Sequence, residues 1–179
     1  MDWTWLDERP LIVALAGSNG AGKTTFFHTH LADSGLRFVN ADEIAKELEI
    51  PTYEAAAIAD GIRRALVAKQ ESFIFETVFS DPVGDKIKFL ENAVEAGYHV
   101  ALIFIQIADF ETSRQRVSMR VAQGGHDVPD DKLKARFQRT RENLRDAITH
   151  LPSVIIFDHS DLANPYQLTA VYRNGKRER

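Results

Sequence analysis

Short runs of apolar residues alternate along the chain with longer segments whose apolar residues recur at helical spacing. The short runs predict buried β-strands, because the strands of a parallel sheet are covered on both faces and show no polar side. The spaced segments predict amphipathic helices that pack one face on this sheet. The predicted strands are 11–16, 36–39, 72–75, 99–106 and 153–157, and the predicted helices are 23–32, 53–69, 82–96, 110–122 and 130–149. A further helix is predicted to begin at 40–43 and to be stopped by Pro51.

This alternation of strands and helices predicts an α/β fold of the P-loop NTPase or kinase type. We expect a mostly parallel five-stranded sheet with helices on both faces. Residues 166–172 alternate in polarity and are a candidate extra edge strand, whereas the basic residues 173–179 are expected to form a mobile end. The length of 179 residues fits one domain over 1–179.

A glycine-rich segment, GSNGAGKT, directly follows the first predicted strand. It matches the complete phosphate-binding pattern G-x-x-x-x-G-K-[ST] in the required order of strand, loop and helix. The glycines let backbone N–H groups turn toward phosphate oxygens, and the helix that follows adds its positive N-terminal end. Lys23 can reach the β- and γ-phosphates, and the Thr24 hydroxyl can ligate Mg²⁺. The predicted ATP-binding residues are Gly17, Ser18, Asn19, Gly20, Ala21, Gly22, Lys23, Thr24 and Thr25.

Acidic residues follow three of the predicted strands, at the sheet edge where open α/β sheets bind ligands. Asp42 follows the second strand and is either a functional acid or the N-cap or a first-turn acid of its helix. Glu76, followed by Thr77, ends the third strand. Glu76 either holds Mg²⁺ or a water near the γ-phosphate or makes a structural hydrogen bond. Asp158 ends the fifth strand and ranks below Glu76, because such an acid usually lies on a strand beside the phosphate-binding loop.

A helical lid is predicted over about residues 116–140. Arg116 and Arg120 lie four residues apart on one helix and therefore share a face. The glycine-rich segment 124–129 follows as a hinge, and the next helix carries a basic stripe made of Lys132, Arg136 and Arg139. Such a unit can close over a triphosphate and bring arginines to the transferred phosphoryl group. The alternative interpretation is a solvated amphipathic hairpin.

Composition narrows the range of functions further. The net charge of −4 argues against a general nucleic-acid binder, and the lack of cysteine excludes disulfides and cysteine-based sites. The longest apolar run, 100–105, is too short to span a membrane. The first ten residues lack the basic and then apolar pattern of a signal peptide. We therefore expect a cytoplasmic protein that binds neither nucleic acid nor membranes.

Five segments together resemble the zeta-toxin-like family of P-loop kinases. These are GSNGAGKTT, FVNADEI, FIFET, RVSMRVAQGGHDVP and RTRENL, spread over about residues 11–160. Small members of this family are often labelled predicted ABC-type ATPases, but this chain has no LSGGQ-like signature. Zeta toxins are the toxin half of toxin–antitoxin pairs and phosphorylate the sugar 3′-hydroxyl of UDP-N-acetylglucosamine. The resemblance implies an ATP- and Mg²⁺-dependent kinase that acts on a small-molecule hydroxyl. A UDP-N-acetyl sugar is the candidate acceptor, and an antitoxin is a candidate partner.

The resemblance also implies roles for individual residues. It makes Asp42 the acid that activates the acceptor, and it makes Glu76, with Thr77, part of the acceptor site. Lys23 and Thr24 match the phosphate and Mg²⁺ ligands. The helix that carries Arg116 and Arg120 matches the one that neutralises charge in the transition state. Larger zeta toxins have another arginine in the lid, for which Arg136, Arg139 or His126 are candidate substitutes. The alternative function is a P-loop ATPase or nucleotide switch that acts on a protein partner.

Overall fold

A computed structural model describes residues 4–123 and 128–179. Its strands are β1 (Leu11–Ala16), β2 (Arg37–Val39), β3 (Phe73–Thr77), β4 (His99–Gln106), β5 (Ser153–Asp158), β6 (Gln167–Arg173) and β7 (Lys176–Arg177). Its α-helices are α1 (Lys23–Phe26), α2 (Ala41–Leu48), α3 (Thr52–Ala68), α4 (Asp85–Glu95), α5 (Phe110–Ala122) and α6 (Asp130–His150). A 3₁₀ turn (Thr4–Asp7) precedes β1, and a π turn (Phe27–Leu31) and a second 3₁₀ turn (Ala32–Ser34) extend α1.

The strands form one sheet in the order β2-β3-β1-β4-β5-β6-β7. The five predicted strands pair in parallel, as expected. The candidate edge strand is confirmed as β6, which runs antiparallel to β5. The sheet has seven strands instead of five because β6 and then β7 extend it beyond β5.

The expectation of a mobile basic end is wrong for Lys176–Arg177. These residues pair with β6 in an antiparallel hairpin. Asn174 and Gly175 form the two-residue connection and have φ values of 48° and 76°. Two consecutive positive φ angles are typical of the tight hairpin turn that Asn-Gly favours. This dipeptide is the signal that the charge-based interpretation of the tail overlooked.

Strand β1 lies between two apolar cores, one on each face of the sheet. Ile12, Ala14 and Ala16 face the core that α3, α4 and α6 cover. Leu11, Val13 and Leu15 face the second core, which contains Phe26, Phe27 and Leu31 from α1 and its extension. Successive strand residues point to opposite faces, so a strand covered on both sides must be apolar throughout. The same arrangement brings the carboxyl ends of all parallel strands to one edge, and this edge carries the phosphate-binding loop.

Within residues 4–123 and 128–179, no helix combines the length and apolar character that crossing a membrane requires.

Helix α4 offers a direct test of this packing. Leu90 is fully buried in the first core, whereas Val94, one turn later, keeps 37% of its surface exposed. We expect Leu90→Ala to lower the free energy of unfolding by about 2–5 kcal/mol, through lost burial and the cavity it leaves. Val94→Ala should lower it by less than about 1 kcal/mol. Denaturant unfolding measures both, and equal losses would contradict the packing described here.

Candidate functional site

The phosphate-binding loop, residues 17–22, joins β1 to α1 at the carboxyl edge of the sheet. Gly17 passes so close to β4 that an added Cβ would lie 2.4 Å from the Ile105 carbonyl oxygen. Gly22 has a φ of 89°, and a Cβ there would lie 2.6 Å from Nδ1 of His159. Both positions therefore require glycine, for reasons of space and, at Gly22, of backbone conformation. The loop has the compact form that its sequence pattern predicts.

Lys23 and Thr24 both contact Glu76 at the end of β3. The Lys23 ammonium is buried, donates hydrogen bonds to the Gly17 and Ser18 carbonyls at 3.0 and 3.2 Å, and lies 3.6 Å from Glu76 Oε1. The Thr24 hydroxyl donates to Glu76 Oε2 at 2.7 Å. Strand β3 pairs directly with β1, so the loop and this carboxylate are adjacent. Thr25, next in α1, is exposed.

Asp158, the alternative acid, lies further from the loop. Its strand, β5, is separated from β1 by β4. The Asp158 carboxylate accepts hydrogen bonds from Gln106 Nε2 at 2.9 Å and from the Ser160 backbone N–H at 2.7 Å. These hydrogen bonds give the Asp158 carboxylate a structural role, in agreement with the prediction that Glu76 is the better candidate for the acid beside the phosphate-binding loop.

Asn40, not Asp42, caps helix α2. The Asn40 side chain accepts a hydrogen bond from the Asp42 backbone N–H at 2.8 Å, and its Nδ2 donates to Glu76 Oε2 at 3.1 Å. The Asp42 carboxylate is therefore not needed as a cap and is exposed in the first turn of the helix. The helix dipole stabilises a negative charge at this position. The structure thus excludes Asp42 as the N-cap of α2, whereas its position in the first turn is as the second alternative predicted.

A cleft of about 980 Å³ opens beside the phosphate-binding loop. We call it the acceptor cleft. It brings together Asn19 from the loop, Asp42 from α2, Thr77 from the end of β3, Arg120 from α5 and Arg136 from α6. Thr77 also accepts a hydrogen bond from the Phe79 backbone N–H at 3.0 Å. Five separate segments thus place an acid, a hydroxyl and two arginines around one space.

The positions of the three candidate substitutes for the second lid arginine distinguish between them. Arg136 lines the acceptor cleft. Arg139 instead donates from Nε to the Ser80 carbonyl at 3.0 Å, and Thr140 and Asn143 bond neighbouring carbonyls of the same loop. His126 lies outside the described residues, as does the rest of the hinge at 124–127. The middle of α6 is therefore anchored to the loop after β3, and Arg136 is the candidate that lines the cleft.

Arg116 lies behind the loop and does not line the acceptor cleft. Its Nη2 donates to the carbonyls of His159 and Ser160 at 2.9 and 3.2 Å, and its Nη1 donates to the Gly20 carbonyl at 3.4 Å. The spacing of four residues from Arg120 predicted a shared role. The structure instead divides the two arginines between the back of the loop and the cleft.

Every carbonyl oxygen from Gly17 to Gly22 accepts a hydrogen bond. Lys23 donates hydrogen bonds to the carbonyls of Gly17 and Ser18, and the Ala21 backbone N–H also donates to the Ser18 carbonyl. Four side chains, which we call the collar, supply the rest: Ser113 Oγ to Asn19 at 2.7 Å, Arg116 to Gly20, His159 Nδ1 to Ala21 at 2.7 Å, and Tyr166 Oη to Gly22 at 2.9 Å. With the carbonyls held outward, the loop presents its N–H groups to an anion.

Three collar residues were not predicted as site residues. His159 and Tyr166 stack, with ring centroids 4.2 Å apart, although they lie seven positions apart in the sequence. Ser113 is fully buried on α5. His159 follows Asp158 directly, so its place at the carboxyl end of a strand was a usable signal. Tyr166 reaches the loop only because β6 runs back along β5, which local sequence patterns do not reveal.

Burial lowers the pKa of His159 below its ordinary value. The hydrogen bond to Ala21 opposes this change, the positive Arg116 adds to it, and Asp158 also opposes it. Because a carbonyl oxygen can only accept, Nδ1 carries the proton that binds Ala21. The folded protein therefore favours a neutral His159 with the proton on Nδ1.

The described residues provide oxygen atoms, but no complete protein cage, for a metal. Among the described residues, no group of three or more His, Asp or Glu side chains could hold a metal ion. Thr24 and Glu76 are the oxygen donors next to the loop. Magnesium at nucleotide sites takes one or two protein ligands together with phosphate oxygens, so this pair suits such a site.

A family model described as Zeta toxin matches residues 4–174. Among curated proteins, an uncharacterized protein of Haemophilus influenzae is 27% identical over 126 residues, which cover 68% of this chain and 88% of that protein. Among solved structures, a chain of the AvrRxo1-ORF1:-ORF2 complex with ATP superposes with a TM-score of 0.75 at 19% identity. The superposition covers 96% of this chain but only 61% of that one.

Two further structures show the same fold. A chain of the PezAT chromosomal toxin–antitoxin system of Streptococcus pneumoniae has a TM-score of 0.63 at 16% identity, covering 84% of this chain and 69% of that one. Deoxyadenosine kinase of M. mycoides with bound dATP has a TM-score of 0.55 at 14% identity, covering 86% and 94%. At these identities the structures establish the fold, which is that of P-loop kinases.

The collar can be tested at Tyr166. Tyr166→Phe keeps the ring against His159 but removes the donor to the Gly22 carbonyl. We expect a rise of about two- to tenfold in the Kd for ATP, from the loss of one hydrogen bond. Calorimetric titration with a non-hydrolysable ATP analogue measures this change. Tyr172→Phe, at the far end of β6, is the control and should leave the Kd unchanged; equal effects of both variants would contradict the collar.

The lowered pKa of His159 predicts a dependence of stability on pH. The unfolded chain takes up this proton at a higher pH than the folded chain, so the contribution is present above about pH 6.5 and is lost as the pH falls. We expect the unfolding free energy to decline more steeply from about pH 7.5 to 5 in the native protein than in His159→Asn. Denaturant unfolding at each pH measures it, and parallel curves would show that His159 does not titrate in this range.

Proposed function

The chain belongs to the zeta toxin family, and on this premise we propose that it transfers the γ-phosphoryl group of ATP to a hydroxyl of a small molecule. The observation that carries the proposal is the acceptor cleft, where Asp42 and Arg120 lie with Asn19 of the phosphate-binding loop around one space. A phosphoryl donor on the loop and a hydroxyl compound in the cleft would meet at their common border. A nucleotide-hydrolysing switch does not need such a second site.

In the proposed reaction, ATP lies on residues 17–24 and the acceptor hydroxyl approaches the γ-phosphate in line. Asp42 orients this hydroxyl and accepts its proton, because its carboxylate is exposed to the cleft and is not used as a helix cap. Lys23 and Arg120 offset the charge that develops on the transferred phosphoryl oxygens. Arg136 is the lid residue placed to add a second arginine to this charge balance.

We assign Arg116 to positioning of the loop and not to the transferred group. Its guanidinium is engaged by the carbonyls of Gly20, His159 and Ser160. A side chain with these partners holds the loop in shape, so its loss should act on ATP binding as well as on turnover. This differs from the sequence-based hypothesis, which gave Arg116 and Arg120 the same catalytic role.

Magnesium would be held by the Thr24 hydroxyl, with Glu76 beside it. When bound, it would screen the charge between the β- and γ-phosphates. In the protein itself, Glu76 aligns the Thr24 hydroxyl through their 2.7 Å hydrogen bond and lies 3.6 Å from the Lys23 ammonium. Thr77 follows Glu76 and lines the acceptor cleft, which supports a further role for this strand end in acceptor binding.

The acceptor we propose is a sugar nucleotide such as a UDP-N-acetyl sugar, and the partner we propose is an antitoxin. Family membership supports the sugar-nucleotide acceptor, and the cleft volume of about 980 Å³ suits a ligand of this size. The PezAT system is described as a toxin–antitoxin system, which supports the antitoxin partner. The chain spans 61% of the matched AvrRxo1 chain, so a partner surface need not be shared with that protein.

Two variants separate donor binding from chemistry. We expect Lys23→Ala to weaken ATP binding strongly and to abolish transfer. Asp42→Ala should leave the Kd for ATP within about twofold but reduce transfer roughly 10²- to 10⁴-fold, as expected for loss of a general base. Titration with an ATP analogue measures the first effect. Incubation with labelled ATP and a panel of sugar nucleotides and other hydroxyl compounds measures the second.

The outcomes of this experiment distinguish the functions. A labelled small molecule identifies a kinase and its acceptor. Near-full transfer by Asp42→Ala would exclude Asp42 as the base. Release of free phosphate that only a protein partner stimulates would identify a switch instead. Growth arrest on expression, relieved by Lys23→Ala, would support the toxin role.

A further inference from the structure

The loop between β3 and α4 contributes a run of consecutive residues to the acceptor cleft. Residues 78–81 all line this cleft, together with Asp42 and Arg120. Each of the four backbone carbonyls in this run accepts a hydrogen bond from a side chain of α6. The bonds are 2.9 to 3.0 Å long and join Thr140 Oγ1 to Val78, Asn143 Nδ2 to Phe79 and to Asp81, and Arg139 Nε to Ser80.

We call the three donors, Arg139, Thr140 and Asn143, the clasp. Thr140 is 1% exposed, so its hydroxyl is committed to the loop and does not serve solvent. The phosphoryl transfer described above gives no part to any of the three residues. The clasp repeats on the acceptor side what the collar does for the phosphate-binding loop: side chains from another element bind every carbonyl of a short loop.

Phe79 has an uncommon backbone conformation in the middle of this loop. Its φ is 62°, in the left-handed region that a bulky residue rarely adopts, and its side chain is buried in the first core. Such a conformation is costly, persists only where the surroundings impose it, and is concentrated at ligand sites. Here the Asn143 side chain holds the Phe79 carbonyl, and Thr77 Oγ1 accepts the Phe79 N–H. The loop is therefore held in one shape by its surroundings.

The clasp also sets the direction of two N–H groups. A planar trans peptide directs its C=O and its N–H to opposite sides. The carbonyls of Phe79 and Ser80 are bound to α6, so the N–H groups of the residues that follow, Ser80 and Asp81, point away from that helix. Backbone N–H groups at fixed positions are among the few polar groups that orient a ligand in its site.

We propose that Thr140 and Asn143 are positioning residues of the acceptor site, which hold the N–H groups of Ser80 and Asp81 as donors to oxygen atoms of the acceptor. The inference rests on the proposed function, because the loop lines the acceptor cleft. Backbone N–H groups carry no formal charge, and Asp81 adds a carboxylate to the same loop. Neutral oxygens of the acceptor, such as carbonyl and hydroxyl oxygens, therefore suit these donors better than anionic ones.

The same helix also carries the lid arginine. Arg136 lies four residues before Thr140 on α6 and lines the same cleft. The helix that holds the acceptor loop thus also places this arginine. Acceptor binding and the placement of Arg136 are coupled through α6.

Thr140→Val tests the clasp with little change in side-chain shape. The variant removes the donor to the Val78 carbonyl but leaves the phosphate-binding loop untouched. With labelled ATP and UDP-N-acetylglucosamine as the acceptor, we expect the KM for the acceptor to rise about two- to tenfold, as for one lost hydrogen bond. The kcat and the KM for ATP should stay close to the native values.

Three further variants complete this experiment. Thr140→Ser retains the hydroxyl and should keep the native KM for the acceptor. Thr149→Val removes a hydroxyl at an exposed position of α6, where it bonds the Asp146 carbonyl, and should also behave as the native protein. Asn143→Ala removes the donor to two carbonyls at a half-buried position. It should raise the KM for the acceptor even if Thr140→Val does not fold.

The amide resonances of isotope-labelled protein test the two donors directly by NMR. The protein is saturated with Mg²⁺ and a non-hydrolysable ATP analogue and is then titrated with UDP-N-acetylglucosamine. We expect the amide protons of Ser80 and Asp81 to move downfield as they gain an acceptor atom. In Thr140→Val the same change should require a higher concentration of the sugar nucleotide.

The outcomes separate this inference from the proposed function. Labelling of UDP-N-acetylglucosamine with an unchanged KM in both Thr140→Val and Asn143→Ala overturns the positioning role alone. An equal rise in Thr149→Val, or saturation of the native protein without movement of the Ser80 and Asp81 resonances, does the same. If the native protein neither binds nor labels UDP-N-acetylglucosamine, the proposed acceptor fails and this inference fails with it.

Discussion

The site depends on one constraint: a loop that turns its N–H groups toward a phosphate must satisfy its carbonyl groups on the other side. Buried backbone carbonyls without donors are costly, and glycine-rich loops have few side chains to supply them. Here Lys23 serves the first two carbonyls, and the collar residues Ser113, Arg116, His159 and Tyr166 serve the next four. The donors come from α5, the end of β5 and the residue before β6. The conformation of the loop is therefore a property of the whole carboxyl edge of the sheet.

The same constraint explains why the antiparallel end of the sheet belongs to the site. β6 runs back along β5 and so delivers Tyr166 to the Gly22 carbonyl, where its ring also stacks on His159. The same constraint explains why the two arginines of α5 have different contacts. Arg116 is used behind the loop, and Arg120, one turn later, lines the acceptor cleft. One helix thus connects the shape of the ATP site with the charge presented to the acceptor.

On the acceptor side, hydrogen bonds to Asn40 and Glu76 set the geometry. Asn40 caps α2 and at the same time bonds Glu76, so the helix that carries Asp42 is joined to the strand that contacts Thr24. This connection leaves Asp42 available to a ligand. The proposed kinase reaction follows from this arrangement, because Asp42 lines the acceptor cleft and is not used as a helix cap.

Much of this could be predicted from local patterns. The apolar runs identified five parallel strands and the candidate edge strand, and the loop pattern identified the ATP site, because glycine spacing and burial on both faces are local properties. The segments around Asp42, Glu76 and Arg120 indicated the family. Other features involve contacts between distant segments: the collar donors Ser113, His159 and Tyr166, and the separation of Arg116 from Arg120. The sequence by itself determined which residues can bind phosphate and form strands. Only the tertiary structure decided which side chains satisfy the loop and which face the acceptor, because hydrogen-bond partners are chosen by position in space and not by spacing along the chain.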